Sequence, residues 1–147
     1  NEDGGYIEFY KKNGFQQGEL KAYNKAGILV AHLENAFEDK DGDGVITDGK
    51  EIIYDDGLLQ SEVYFEKGVR QGFGIEYSHD GWIEVIIYYQ DDEDVGWDNE
   101  ENKRLVLREI KKYMNKGVNV MPINYIGLCE SFGFDTTKFC EDPDFKF

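Results

Sequence analysis

Proline, cysteine and methionine are scarce in this sequence, with two copies of each among 147 residues. So little proline argues against a Pro-rich linker, and an aromatic content of 15% argues against disorder, because aromatic side chains favour pleated, half-buried surfaces. Long hydrophobic runs are missing too: residues 27–33 and 82–89 have strand length, well short of the roughly 18 residues that span a bilayer. Length and an apolar content of 40% predict one compact, strand-rich domain without a membrane span.

Basic residues are also few: 16 Lys and Arg stand against 31 Asp and Glu, a formal net charge of −15. Residues 1–94 carry 22 acidic and 8 basic side chains, whereas residues 95–147 carry 9 and 8. Nucleic-acid binding needs clustered Lys and Arg, so the charge excludes nucleic acid as an expected ligand and favours cations or a protein partner with a basic surface. An acidic surface that serves solubility alone is the competing interpretation.

A spacing of glycine and tyrosine recurs along the first two thirds of the chain. Copies starting at Gly5, Gly18 and Gly72 have Tyr five residues later and Gly nine residues later, and a copy at Gly49 shortens the second offset by one. Each reads as a strand followed by a polar turn that closes on Gly, namely KKNG, NKAG, YDDG and SHDG. Because single hairpins are marginal in water, residues 1–94 are predicted to form consecutive antiparallel β-hairpins in an extended sheet.

The segments QGELKAYNKAG, YDDGLLQSEVYFEKG and RQGFGIEYSHDG resemble the MORN-repeat variant of bacterial toxin–antitoxin proteins, over residues 5–90. An insertion at residues 34–50 departs from the compact repeat. The resemblance implies a binding scaffold without catalytic residues. With the acidic charge, it leads us to expect an immunity-like or antitoxin-like protein that neutralises a basic partner through an acidic β surface.

Residues 98–116 carry the helical pattern of the tail, with Asp98 or Asn99 as the cap, two Glu in the first turn, Lys near the end and Gly117 after it. Its apolar face is predicted to pack against the last hairpins, and consists of Val106, Leu107, Ile110, Tyr113 and Met114. A further helical turn is predicted within residues 124–132, packing Tyr125, Ile126 and Leu128. The predicted fold is therefore mainly β with C-terminal α (α+β), in which residues 95–147 cap the hairpins of the same compact unit.

Residues 39–47, DKDGDGVIT, reproduce the first nine positions of an EF-hand loop. Hard cations such as Ca²⁺ prefer oxygen ligands, and Lys50 occupies the position where a bidentate Glu is expected. The strand-like KEIIYDDG that follows predicts a structural Ca²⁺ loop inside a hairpin insertion, with an acidic surface turn as the alternative. The predicted ligands are Asp39, Asp41, Asp43, the Val45 carbonyl and Thr47, with Glu51 or Asp48 closing the shell.

Cys129 and Cys140 are eleven residues apart in the tail, a spacing that allows either a disulfide or two buried thiols. We expect the disulfide, which implies an oxidising compartment. The chain opens at Asn1 without Met, as after removal of a signal peptide or in a trimmed chain. A periplasmic or secreted location is accordingly expected ahead of a cytoplasmic one.

No motif points to catalysis, since the two histidines, His32 and His79, are far apart and only Asp80 adjoins one of them. We therefore expect a non-catalytic protein. The alternative function is an exported structural or surface repeat protein, stabilised by Ca²⁺ and the disulfide, that binds glycans through aromatic residues such as Trp82 and Trp97.

Overall fold

A computed structural model describes residues 4–12, 14–38 and 45–147. These residues form nine strands: β1 (Tyr6–Lys12), β2 (Phe15–Tyr23), β3 (Leu29–Glu38), β4 (Val45–Thr47), β5 (Gly49–Asp55), β6 (Leu58–Glu66), β7 (Val69–Tyr77), β8 (Ile83–Gln90) and β9 (Glu93–Asp94). They also form the helices α1 (Glu100–Asn115), α2 (Ile126–Phe132) and α3 (Thr136–Glu141), with a 3₁₀ turn at Pro122–Asn124. The predicted α+β class, mainly antiparallel β with C-terminal helices, is confirmed. No described helix is long and apolar enough to cross a bilayer.

The chain packs as two compact units, Asn1–Gly72 and Phe73–Phe147. The division falls inside β7, so the last hairpin packs with the tail helices. Sequence composition places its own division later, after residue 94, where the repeats end and the tail begins. The division by packing comes earlier in the chain, because β8 supplies the apolar side chains against which α1 packs.

In the first unit the antiparallel strands follow the order β1-β2-β3-β5-β6, and β4 pairs with β3. Alternation along the strands separates two kinds of cross-strand row. One row is mostly polar and consists of Glu8, Lys21, His32, Ile52 and Glu62. The next row is mostly apolar and consists of Ile7, Ala22, Ala31, Ile53 and Ser61. Among the described residues of this unit, Leu20 and Ala36 are the buried apolar side chains.

Two turns of the repeat close with the same hydrogen bonds. In Asn24–Ile28, the first residue donates its N–H to the last carbonyl and accepts from Gly27 N, while its side-chain oxygen accepts from Ile28 N. In Ser78–Trp82, the same three bonds recur with Gly81 in the glycine position. Both glycines have φ near +80°, which a side chain would strain. The predicted turn positions of these two repeat copies are thereby confirmed.

The second unit contains the larger core. Strands β7-β8-β9 are neighbours in that order, and α1 packs on β8 as predicted. The α1 cap is Asn99, whose side chain accepts from Asn102 N, and Gly117 closes the helix: Gly117 N donates to Met114 O and Val118 N to Tyr113 O. The core consists of Ile75, Ile83, Val106, Leu107, Ile110, Val120, Tyr125, Leu128, Cys129 and Phe139.

Aromatic side chains of the C-terminal segment pack on one another and lie beside basic side chains of α1. Asp135 caps α3, a helix that the sequence reasoning did not predict, and Phe139 on α3 is fully buried. Lys111 is buried as well, and its ammonium donates to the Phe139 carbonyl, so this lysine does not serve the exposed helix end as the charge pattern suggested. Tyr125 and Leu128 are buried as predicted, but Ile126 is 39% exposed, so its expected packing role is wrong.

Candidate functional site

A stretch without basic residues runs from the middle of β7 into α1. Between Arg70 and Lys103 the sequence has ten acidic residues and no Lys or Arg. All ten are exposed: Glu76, Asp80, Glu84, Asp91, Asp92, Glu93, Asp94, Asp98, Glu100 and Glu101. Glu100 and Glu101 also lie in the first turn of α1, where the helix dipole favours negative charge. The stretch therefore adds ten exposed carboxylates, and no Lys or Arg, to the surface of the second unit.

The second unit, every residue of which is described, has five large apolar side chains that are exposed. They are Trp82, Trp97, Met121, Ile123 and Ile126, here called the tryptophan patch. Ile123 is 80% exposed and Trp97 is 55% exposed. Single exposed apolar residues are ordinary on protein surfaces, but several together mark interaction sites.

Backbone hydrogen bonds along β8 hold the central part of this patch. Ile83 N donates to Asn119 O, and Met121 N donates to Ile83 O, each at 2.8 Å. These bonds place the chain before the 3₁₀ turn beside the start of β8, where Val120 forms a parallel bridge with Ile83. The residue before Ile83 is Trp82, so its backbone adjoins the Met121 segment.

Asn124 fastens the 3₁₀ turn to the next part of β8. Its side-chain nitrogen donates to Glu84 O and to Met121 O, both at 3.0 Å, and its oxygen accepts from Ile86 N at 3.1 Å. One amide thus satisfies three backbone groups, two of them on β8. Farther along the strand, Val95 N donates to Tyr88 O, so the protein's own chain covers both ends of this strand edge.

Trp97 joins the patch from the other side. A Cβ atom added to Gly127 would lie 2.9 Å from the Trp97 ring, so the indole rests directly on the backbone of α2. The Lys103 ammonium lies 5.9 Å from the centroid of the Trp97 ring and 5.9 Å from that of Phe132. The exposed indole is therefore held between α1 and α2.

A second polar group of side chains lies on the first unit. His32 Nε2 lies 3.1 Å and Lys21 Nζ 3.4 Å from the carboxylate of Glu19. These two neighbours, His32 first, hold the pKa of Glu19 below its usual range, and the Glu19 carboxylate raises the pKa of Lys21. A depression of about 140 Å³ adjoins them, lined by Glu8, Phe9, Tyr10, Glu19 and Lys21. The cluster carries charged, solvent-exposed partners.

The predicted Ca²⁺ ligands Asp39, Asp41 and Asp43 lie outside the described residues. Val45 pairs with Glu38, so the segment between them joins two antiparallel strands, and no exit helix follows. Thr47 pairs with Ala36, and its carbonyl accepts from Gly68 N at 2.8 Å.

Of the two residues proposed to close the Ca²⁺ shell, neither is a simple surface carboxylate. Glu51 lies in β5 between Leu33 and Val63, where burial raises the pKa of its carboxyl. Asp48 accepts a hydrogen bond from Lys67 N at 3.1 Å. Within the described residues, no three His, Cys, Asp or Glu side chains are close enough to hold a metal ion.

Ca²⁺ binding by residues 39–47 stays a prediction, and thermal unfolding tests it. Excess Ca²⁺ is expected to raise the unfolding midpoint above that measured in chelator. At a Ca²⁺ concentration of 100 times Kd, the free energy of unfolding should increase by about 2.7 kcal/mol. An Asp41→Ala, Asp43→Ala variant should lose the rise, whereas Glu62→Ala, Glu66→Ala, which removes the same charge from β6, should keep it. Coincident curves in Ca²⁺ and chelator for the unaltered chain would reduce the loop to an acidic turn.

The two predicted disulfide partners lie in the same core. Cys129 is a buried free thiol and Cys140 a half-buried one. The Cys140 thiol is within hydrogen-bonding reach of the Tyr125 hydroxyl, and burial, with that contact, raises the pKa of Tyr125 to about 12. Burial also raises the pKa of the Cys129 thiol, followed by the proximity of Cys140. A bond between them stays a prediction.

The exposed residues of the second unit include both the acidic stretch and the tryptophan patch. No family model, curated protein or solved structure matches the chain. The resemblance of residues 5–90 to the MORN-repeat variant therefore stays a prediction from the sequence.

Sequence reasoning named Trp82 and Trp97 only as examples of exposed aromatics, and it missed Met121 and Ile123 altogether. The segment MPIN carried a usable signal, because it combines two large apolar residues with a proline, which interrupts regular secondary structure. A three-residue turn buries little of the surface of its side chains.

Proposed function

We propose that this protein is a non-catalytic binding module that recognises a partner protein with a basic surface. The observation that carries the proposal is the exposure of all ten acidic residues between Arg70 and Lys103, a segment without Lys or Arg. Such a concentration of exposed carboxylates attracts a basic partner over a distance of roughly a Debye length and so accelerates encounter. The function is of the kind that an immunity protein or antitoxin performs.

The polar cluster of the first unit supports binding over chemistry. A general acid at neutral pH needs a carboxyl pKa that is raised, whereas His32 and Lys21 lower that of Glu19. Glu19 and Lys21 are both well exposed to solvent, so they do not lie in a water-excluded site. Charged pairs of this kind on a strand surface suit recognition of another charged surface.

The repeat geometry supports the same class of function. The matching hydrogen bonds of the turns at Asn24 and Ser78 favour a true repeat, as the resemblance to MORN-type repeats implies. Repeats of this kind present equivalent positions from copy to copy, which suits protein recognition.

Salt dependence tests the proposal, with a synthetic peptide of alternating Lys and Ser as the basic probe. The association rate, followed by tryptophan fluorescence, is expected to fall at least about tenfold between about 50 and 500 mM salt. A Glu84→Gln, Glu93→Gln variant should bind more slowly at low salt, because both residues belong to the acidic stretch.

The matched control is Glu62→Gln, Glu66→Gln, which has the same net charge but alters β6 of the first unit. If both pairs slowed association equally, the net charge and not this surface would be responsible. A rate insensitive to salt would contradict electrostatic recognition as a whole.

A further inference from the structure

We infer that the tryptophan patch is an apolar docking site for a partner segment in which Lys or Arg flanks a large apolar side chain. This inference rests on the proposed function and adds to it the anchor that holds the partner after encounter. Charge speeds association, but the lifetime of a complex depends on a few buried apolar contacts, for which tryptophan is the preferred residue.

Three of the five patch residues occur within six residues of the chain. Met121 precedes the 3₁₀ turn, Ile123 lies on it, and Ile126 is the first residue of α2. Trp82 precedes Ile83, which forms hydrogen bonds with Asn119 and Met121, the residues on either side of Val120. The Trp97 ring lies over Gly127, next to Ile126. Both tryptophans are thus attached to the two ends of the same segment.

The segment is held in place before any partner arrives. Asn124 ties its centre to β8 with two hydrogen bonds and to Met121 with a third, and Tyr125 and Leu128, on either side of Ile126 in the sequence, are buried in the core. Binding therefore orders little backbone, which lowers the entropic cost of association. An exposed isoleucine on a fixed backbone suits an interface better than one on a flexible loop.

Acidic side chains border the patch and define the chemistry of its occupant. Glu84 is on the same side of β8 as Trp82, because both alternate with the fully buried Ile83. Asp98 follows Trp97 directly, and Glu130 lies one helical turn beyond Ile126, on the same side of α2. All three carboxylates are exposed. Basic residues beside the apolar anchor of a partner complement these three carboxylates.

The two tryptophans of the patch are the only tryptophans of the chain, so their fluorescence reports occupancy directly. We would titrate the full chain with three short peptides of equal length, composed of Lys and Leu, Lys and Ser, or Glu and Leu. The Lys/Leu peptide is expected to bind about tenfold or more tightly than either of the others, with a blue shift of the emission.

The variant for the patch is Ile123→Ser, Ile126→Ser, which leaves the charge unchanged. It should weaken binding of the Lys/Leu peptide about tenfold. The control is Ile28→Ser, Leu58→Ser, which removes two exposed apolar residues that follow turn glycines in the first unit, and it should bind as the unaltered chain does. Equal midpoints of thermal unfolding for the two variants would show that the difference arises at the surface.

The outcomes separate the two proposals. Equal affinity for the Lys/Leu and Lys/Ser peptides overturns the docking patch and leaves the electrostatic function standing. Equal affinity for the Lys/Leu and Glu/Leu peptides overturns the basic partner and leaves the apolar patch. Absence of binding by all three peptides overturns both, as does a spectral response to oligosaccharides alone, which would assign the tryptophans to a glycan.

Discussion

Replacing Phe139 with alanine is expected to lower the free energy of unfolding of the second unit by about 3 to 5 kcal/mol. Phe139 is 0% exposed, and its ring centroid lies 5.4 Å from that of Tyr125, 5.6 Å from that of Phe145 and 6.0 Å from that of Phe147. Truncation removes these contacts and leaves a cavity that the short helix α3 cannot fill. The buried Lys111 ammonium also loses the ring beside it.

Chemical denaturation followed by tryptophan fluorescence measures this effect, because both tryptophans lie in the second unit. Phe139→Leu keeps most of the volume and should cost about 1 to 1.5 kcal/mol. A loss below about 1 kcal/mol for the alanine variant would mean that the C-terminal aromatic residues contribute little to the core.

Replacing Asn124 with alanine is expected to cost about 2 to 3 kcal/mol, with the tryptophan emission shifted to longer wavelength. The substitution leaves Ile86 N–H and Glu84 C=O without their partner, and an unsatisfied, partly buried polar group costs about 1 to 3 kcal/mol. The 3₁₀ turn is then released from β8, so the residues around it become more hydrated. Denaturation and emission spectra measure both consequences.

The control is Asn115→Ala, because Asn115 makes one exposed side-chain hydrogen bond, to Pro143 O at 3.1 Å. This change should cost about 0.5 to 1 kcal/mol and leave the emission unchanged. Asn124→Asp keeps the acceptor for Ile86 N but sets a carboxylate oxygen against the carbonyls of Glu84 and Met121, so it should cost at least as much as Asn124→Ala. Equal losses of stability for Asn124→Ala and Asn115→Ala would contradict the role of Asn124 in holding the 3₁₀ turn on β8.

The sequence predicts those parts of the fold that local signals determine. Asn99 and Gly117 mark the ends of α1 because capping depends on neighbours a few residues away. Gly27 and Gly81 mark turns for a similar reason, since the required φ belongs to one residue. The helix face through Ile110 follows from a period that repeats over sixteen residues.

Features that depend on distant parts of the chain escape this reasoning. Helix α2 has seven residues, too few for the spacing of apolar residues to show whether Ile126 faces the core. The burial of Lys111 depends on α3, a six-residue helix that is distant in the sequence and contacts Lys111 only in the folded chain. Glu51 lies between Leu33 and Val63 because of the strand register, which a bulge can change by one residue.

The first-unit metal loop was predicted from composition and spacing alone. The described strands on either side agree with a hairpin insertion, as the strand-like KEIIYDDG indicated. The acidic surface was visible in the sequence as charge, but the tryptophan patch was not, since it joins residues 82, 97 and 121–126 through the fold.

The matching turns at Asn24–Ile28 and Ser78–Trp82 separate a constant framework from a variable position. The hydrogen bonds depend on Asn or Ser at the start and Gly near the end, whereas the last residue contributes only its backbone and exposes its side chain. Isoleucine occupies that position in one copy and tryptophan in the other. The side chain at this position can therefore change from copy to copy without loss of the hydrogen bonds that close the turn.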